Sequence, residues 1–292
     1  MKRKKIHFWS GFFICPYMAL FLLFVLVPAV FGLYISLTDW DLYGEPVFVG
    51  FDNFRRILFD TESIYHTQFF NGAKNTLLFV LMAVPLCIVV PLLLAIMLSV
   101  KPRLHKFYQS LLYLPTLFAI SAVMIIWGFQ LSLSYGPFQE WFGLDVNITG
   151  TQPWAWIAIV LVTLWWCAGS NMIIYVAALN AVPREQIEAA SLDGAGNLVR
   201  FFKIILPNIK SQLLFTTITT TIAQFNVYGQ ALMLTNGGPN NSTRVLMMYI
   251  QQNAFGTGVS TAGISAAMAV LLGLIIMIFS SIQFIVNRRS NA

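Results

Sequence analysis

The sequence predicts an all-α polytopic membrane protein with six transmembrane helices and with both termini in the cytoplasm. Hydrophobic residues make up 58% of the 292 residues and charged residues only 10%, whereas a typical soluble domain carries about 25% charged residues. The charges leave six long uncharged windows, and Lys and Arg concentrate in alternate loops between them. A charged fraction of 10% is too low to cover the water-facing surface of a soluble protein of 292 residues. We therefore expect lipid around much of the molecule.

Each uncharged window, with His7 counted as neutral, has room for one membrane span. About 20 apolar residues, rising 1.5 Å each, cross a hydrocarbon core about 30 Å thick. No window is apolar over enough of its length for two spans, and none shows the alternation typical of barrel strands, so helices are predicted. The predicted spans are residues 12–37, 75–99, 107–132, 154–180, 204–230 and 264–286.

The first span follows the basic run from Lys2 to Lys5, which resembles the start of a signal peptide. The apolar segment from Gly11 to Leu37 is longer than the usual 7–15 residues, and no typical cleavage site follows it. We therefore predict an uncleaved membrane span.

The distribution of basic residues sets the predicted orientation. With the amino terminus inside, the outer loops hold Arg55, Arg56, Lys74 and Arg244, and the other 13 of the 17 Lys and Arg are cytoplasmic. This bias follows the positive-inside rule. The net charge of +6 therefore indicates membrane topology, and we predict no nucleic-acid partner.

The outer loop at 39–74 is too polar to lie in the membrane and is long enough to meet a soluble partner, although a simple solvated loop is equally compatible with it. Cys15, Cys87 and Cys167 fall inside apolar windows and are predicted to be unpaired thiols. The three histidines lie on different segments, so no metal site is predicted.

The cytoplasmic segment at 183–203 carries a distinct pattern. Pro183 suits the start of a helix, and Glu185–Leu192 is rich in good helix formers. Gly194 and Gly196 break that helix, and an amphipathic pattern then resumes before the fifth span. We predict a helix, a glycine bend and a second helix that together present a compact docking face.

Spans four and five contain neutral polar residues but no carboxylate or lysine at mid-depth. Hydroxyl and amide groups suit a neutral polyol better than a cation, because buried polar groups in lipid need partners or a watery cavity. A single Thr more often bonds back to its own helix, whereas Gln224 and Asn226 favour a functional role.

The segment Glu188-Ala189-Ala190, three residues, Gly194, nine residues, Ile204, one residue, Leu206-Pro207 resembles the EAA loop of binding-protein-dependent ABC transporter permeases. The resemblance implies the type I ABC importer permease fold. It also implies that Glu188, Ala189, Ala190 and Gly194 couple the membrane spans to a separate ATPase.

A second resemblance narrows the family. Leu234–Pro239 is similar to the LTxGGP stretch of maltose-type sugar permeases, and Asp39-Trp40, Val49–Phe54 and Tyr113-Leu114-Pro115 also match that subfamily in order. The implied function is the permease subunit of an ATP-driven sugar importer in its short six-span form, with an oligosaccharide as the expected substrate. Import of glycerol-phosphate or another polyol is the alternative.

The register of this resemblance implies a substrate pathway through spans three to five. Asn226 is added on the argument from its polarity. The predicted pathway residues are Thr116, Ile120, Thr163, Trp166, Cys167, Ser170, Thr220, Ala223, Gln224 and Asn226.

The sequence contains no G-x-x-x-x-G-K-[ST] loop to bind ATP phosphates. The resemblance therefore implies a non-enzymatic chain without its own cofactor, located in a prokaryotic plasma membrane. Its implied partners are a second related permease, two subunits that bind ATP and Mg, and an extracytoplasmic sugar-binding protein.

Three other classes compete with this interpretation. A secondary transporter needs inverted repeats and mid-membrane ionisable residues. An intramembrane protease needs a nucleophile beside a base at depth. An exporter or a channel has no need of the EAA loop.

Overall fold

The computed structural model describes residues 13–143, 146–256 and 261–289. Four of its helices are long and apolar enough to cross a membrane. They are α1 (Phe13–Ser36), α3 (Ile64–Ser99), α7 (Trp154–Asn180) and α14 (Ala262–Arg289, apolar through Val286). The remaining helices are α2 (Asp52–Leu58), α4 (His105–Leu117), α5 (Ile120–Gln130), α6 (Pro137–Phe142), α8 (Arg184–Leu192), α9 (Asn197–Arg200), α10 (Leu206–Asn208), α11 (Lys210–Phe225), α12 (Gly229–Thr235) and α13 (Leu246–Phe255).

The apolar side chains of α1 are exposed almost throughout, and so are many of those on the second half of α14. Exposed apolar surface on this scale indicates contact with lipid rather than water. The second predicted span begins earlier than expected, at Ile64 rather than at residue 75. Lys74 ends the uncharged window, but a helix continues through a charged residue without difficulty.

The third predicted span, 107–132, is not one continuous helix. It consists of α4 and α5, which meet at 96°. Pro115 is the second residue of a 3-10 turn at Leu114–Leu117, after which Phe118 and Ala119 are extended. Proline lacks a backbone N–H, so it favours such a break.

The fifth predicted span, 204–230, is also broken into three helices. A π-helical turn at Phe201–Ile205 leads into α10, then α11 carries the apolar segment, and α12 follows a break at Val227 and Tyr228. The 16 residues of α11 fall just short of the about 17 that a span needs. The described residues thus hold four spans, or five if α4 and α5 count as one, and the six-span count and cytoplasmic termini stay predictions.

The chain divides into two compact units. The first contains the described parts of 1–70 and 249–273. Its strands β1 (Thr38–Asp39) and β2 (Val47–Phe48) pair antiparallel, with Thr38 opposite Phe48. The buried Asn53 amide donates to the carbonyls of Ser36 and Thr38 at 3.0 and 2.8 Å, and this fixes the end of α1.

The second unit contains residues 71–248 and the described part of 274–292. Its core is formed by α3, α5, α7, α12 and α13, with Phe79, Met124, Ile159 and Val245 fully buried. Gly169 allows α7 to approach α4 closely: a Cβ atom there would lie 2.7 Å from the Cα of Tyr113. All the predicted site residues lie in this unit.

Candidate functional site: the segment at 183–208 and the polar residues of α7 and α11

The predicted helix, bend and helix of the segment at 183–203 are confirmed. Helix α8 follows Pro183 and ends at Leu192. Gly194 then takes φ = +76°, its N–H donates to the Ser191 carbonyl at 3.2 Å, and the Ala195 N–H donates to the Ala190 carbonyl at 2.9 Å. This pair of bonds is a Schellman motif, whose left-handed position favours glycine.

Side chains fasten the two arms of this segment to each other. The guanidinium of Arg200 donates to the hydroxyl of Ser191 at 2.7 Å and also contacts the Asn197 side-chain oxygen. At the other end, the Asn208 amide donates to the Gln186 side-chain oxygen at 2.9 Å. Sequence reasoning did not identify the pairs Arg200–Ser191 and Asn208–Gln186, because their partners lie on opposite sides of the glycine bend.

The outer surface of the segment is open. Glu188, Ala189 and Gly194 are exposed and Ala190 is half-buried. Leu192 and Leu198 are 91% and 74% exposed. An apolar pair with this exposure on a mostly polar segment is typical of a protein contact surface.

The interior of the second unit is linked by polar side chains. The Asn171 amide donates to the Cys87 carbonyl at 2.8 Å and to the Thr220 hydroxyl at 2.9 Å. The hydroxyls of Tyr175 and Thr216 lie 2.6 Å apart. Hydrogen bonds of this kind join helices in lipid, where little else satisfies polar groups.

Three predicted pathway residues belong to this buried interior. Thr163 donates to the Ile159 carbonyl of its own helix at 2.7 Å, and Thr220 accepts from Asn171. The Gln224 amide nitrogen lies 3.9 and 4.0 Å from the sulfurs of Cys87 and Cys167. Cys167 itself is half-buried.

Three others are located at the bend between α4 and α5. The Thr116 hydroxyl donates to the Trp166 carbonyl at 2.9 Å, and the Trp166 indole N–H donates to the Phe118 carbonyl at 3.0 Å. Ile120 lies against Gly229, where an added Cβ would be 3.1 Å from its Cδ1. The contacts of these three residues stabilise the bend between α4 and α5.

The last three, Ser170, Ala223 and Asn226, are exposed. Ala223 shares one face of α11 with the exposed Thr219. Asn226 directly follows α11, and its amide donates to the Ile222 carbonyl at 2.7 Å. The structure thus distributes the ten predicted residues over a buried interior, a helix bend and an open polar face. Asn171, Tyr175 and Thr216 are buried polar residues of this interior that the prediction of the pathway left out.

Comparison with known proteins gives a consistent result. A family model described as "Binding-protein-dependent transport system inner membrane component" matches residues 64–291. The "Probable starch degradation products transport system permease protein AmyD" of Thermoanaerobacterium thermosulfurigenes is 31% identical over 290 residues, which cover 98% of this chain and 96% of that protein. The "sn-glycerol-3-phosphate transport system permease protein UgpA" of Escherichia coli is 31% identical over 276 residues, covering 93% and 91%.

A solved structure agrees in fold. A chain of a bacterial alginate ABC transporter, crystallised in complex with an alginate pentasaccharide-bound periplasmic protein, superposes with a TM-score of 0.81 at 23% identity. The match covers 99% of this chain and 96% of that one.

Proposed function

The chain belongs to the family of binding-protein-dependent transport system inner membrane components, and we propose that it is the permease subunit of an ATP-driven importer of oligosaccharides. It is a multi-pass protein of the plasma membrane with an ABC importer permease fold. The single observation that carries the proposal is the structure of residues 183–208, here called the coupling segment. It consists of the exposed helix α8, Gly194 in a left-handed conformation, and α9 and α10, which are bonded to α8 through side chains and lead into α11.

The sugar substrate is supported by the relatives and by the chemistry of the open face. AmyD is named for starch degradation products, and the structural neighbour is part of a transporter of alginate, an acidic polysaccharide, so the relatives support a saccharide and the neutral charge is argued from the residues of this chain. Ser170, Thr219 and Asn226 offer neutral hydroxyl and amide groups on exposed surface. Such groups exchange hydrogen bonds with sugar hydroxyls without a charge that would need a counter-ion.

We assign the ten predicted pathway residues unequal roles. Ser170, Ala223 and Asn226 line the passage for the sugar. Thr116, Ile120 and Trp166 shape the bend beside it, and Thr163, Cys167, Thr220 and Gln224 hold the helix interior that supports it.

Coupling is proposed to run through Glu188, Ala189, Ala190 and Gly194. Two partner ATPase subunits hold ATP and Mg, and each ATPase of the pair contacts one permease chain, here through α8 and the exposed Leu192 and Leu198. Because Arg200 and Ser191 join the two arms, movement of α8 is transmitted to α9, α10 and α11 rather than absorbed in the bend. Closure of the ATPases would then switch the passage between inward-open and outward-open states.

The remaining partners follow from the same proposal. A second, related permease completes the passage, and an extracytoplasmic sugar-binding protein delivers the substrate. The periplasmic protein of the alginate complex supports this arrangement.

Glycerol-phosphate is the second candidate substrate, because UgpA is as similar in identity as AmyD. A phosphate ester would need a cation in the passage. The exposed residues that we assign to the passage are uncharged, which favours the neutral sugar.

The deciding experiment is uptake by the purified complex in proteoliposomes, with a panel of neutral oligosaccharides, uronate oligosaccharides and glycerol-3-phosphate. ATP-dependent uptake of a neutral oligosaccharide is expected. Uptake that needs no ATP would remove the importer proposal, and uptake restricted to glycerol-3-phosphate would replace the sugar.

A further inference from the structure

A groove of about 790 Å³ lies on the second unit where α11 begins and α14 nears its end. Its walls are mainly apolar: Leu206, Pro207, Leu213 and Leu214 on one side, with Ile282, Gln283 and Val286 on the other. Thr217 and Lys210 complete the lining. We propose that this groove binds an anionic phospholipid of the cytoplasmic leaflet, with an acyl chain in the groove and the phosphate at Lys210.

The walls suit a hydrocarbon chain because their polar groups are either bonded within the protein or buried away from the groove. The Thr217 hydroxyl donates to the Leu213 carbonyl at 2.7 Å, and the Gln283 amide donates to the Thr221 hydroxyl at 2.8 Å. The Gln283 side-chain oxygen is buried and has no hydrogen-bond partner among the described residues, so it is not exposed to the groove. From Lys210 to Thr217 the groove follows α11 for about 10 Å, which is about a third of the hydrocarbon core.

Charge is confined to one end of the groove. Of the described residues that line it, Lys210 alone is charged. It begins α11 directly after the coupling segment, whose basic residues set the predicted cytoplasmic side. Because Lys210 precedes the apolar part of α11, we place it at the level of the lipid phosphates, where a basic pocket between membrane helices suits an anionic headgroup.

A lipid fits this groove better than a helix of another subunit. Helices that pack together in membranes usually approach through small residues, whereas these walls are mostly leucine, isoleucine and valine. The adjacent Phe284, Ile285 and Val286 of α14 are all more than half exposed, and consecutive residues point to different sides of a helix. We therefore expect bilayer against the exposed side of this end of α14.

The test uses the intact complex and a phosphatidylglycerol with a photoreactive group in its acyl chain. After illumination, mass spectrometry should find the label on residues 206–217 and 282–286. Unlabelled phosphatidylglycerol should compete about fivefold better than phosphatidylcholine, the factor expected for one lysine at the membrane surface. Lys210→Gln should abolish this preference, and Lys210→Arg should keep it.

Lys203→Gln is the matched control, because Lys203 is exposed, lies on the same segment and does not line the groove. Leu214→Trp should reduce labelling by filling the groove, with Phe215→Trp, on an exposed position, as its control. The proposal fails if Lys210→Gln and Lys203→Gln change the preference equally or not at all. It also fails if a photoreactive side chain placed at 214 labels a protein subunit instead of lipid.

Discussion

The side-chain amide of Asn171 donates to the hydroxyl of Thr220 across 2.9 Å and to the backbone carbonyl of Cys87 across 2.8 Å. One buried amide therefore joins α3, α7 and α11. Its neighbour Ser170 is exposed. Of these two consecutive residues of α7, Asn171 therefore bonds to other helices in the interior, whereas Ser170 lies on the surface.

Asn171→Ala should destabilise the protein by about 1–2 kcal/mol, because two interhelical hydrogen bonds are lost. Denaturant unfolding in mixed micelles, followed by circular dichroism, measures the change. Ser170→Ala is the matched control and should leave the free energy of unfolding within about 0.5 kcal/mol of wild type. Equal stability of all three proteins would contradict the assigned role of Asn171.

Gly169→Ala should cost about 1–3 kcal/mol, the usual range for overpacking. The added Cβ would lie 2.7 Å from the Tyr113 Cα and 2.8 Å from the Leu112 carbonyl oxygen, both backbone atoms. Gly128→Ala is the control, since an added Cβ there meets nothing within 4 Å. A thermal-shift comparison in detergent should show a lower melting temperature for Gly169→Ala alone.

Gly194→Val should uncouple ATP hydrolysis from uptake while membrane insertion remains normal. A β-branched residue at φ = +76° costs at least about 1–2 kcal/mol, so the Schellman turn would open and the two arms would separate. Uptake and ATPase rates in proteoliposomes measure the coupling ratio. Gly196→Ala, at φ = −68° with open space around it, should keep that ratio, and a normal ratio in Gly194→Val would refute the coupling role.

Asn226→Ala should lower the uptake rate severalfold, because it removes an exposed amide from the proposed passage. Thr163→Val should leave uptake near wild type, since the Thr163 hydroxyl is buried and bonded to its own helix. Initial uptake rates over a range of substrate concentrations separate the two. The reverse result would assign the passage to the buried face.

Mild copper-phenanthroline oxidation should join Cys87 and Cys167, whose sulfurs lie 3.4 Å apart. The expected product is an intramolecular disulfide, detected by the loss of two hydrogens in intact mass and by peptide mapping. Cys87→Ser, on a Cys15→Ser background, should show no such loss. Failure of the two native cysteines to join would indicate that α3 and α7 pack differently here.

Sequence patterns predicted the parts of the molecule that depend on local chemistry. Gly194 could be recognised as the end of a helix because few residues other than glycine adopt the left-handed conformation found there. The uncharged windows located most of the membrane helices. The windows could not show that α3 continues through Lys74 to Ile64, because a window ends at a charge and a helix does not.

The breaks and the environments of the pathway residues depend on contacts distant in sequence. The bend between α4 and α5 relies on an indole about 50 positions downstream. Thr163 and Ser170 share a helix and a hydroxyl group, yet one is buried and the other exposed. Which side of α7 meets its neighbours is decided by packing around Gly169, and composition alone does not encode that.

The bend also bears on how the chain is assembled in the membrane. At 1.5 Å per residue, α4 and α5 extend only about 20 and about 17 Å, so neither crosses a core of about 30 Å by itself. The Phe118 carbonyl at their junction accepts its hydrogen bond from Trp166, which is synthesised later than both helices. The two half-helices can therefore enter the bilayer as one segment and reach their final angle only when α7 arrives beside them.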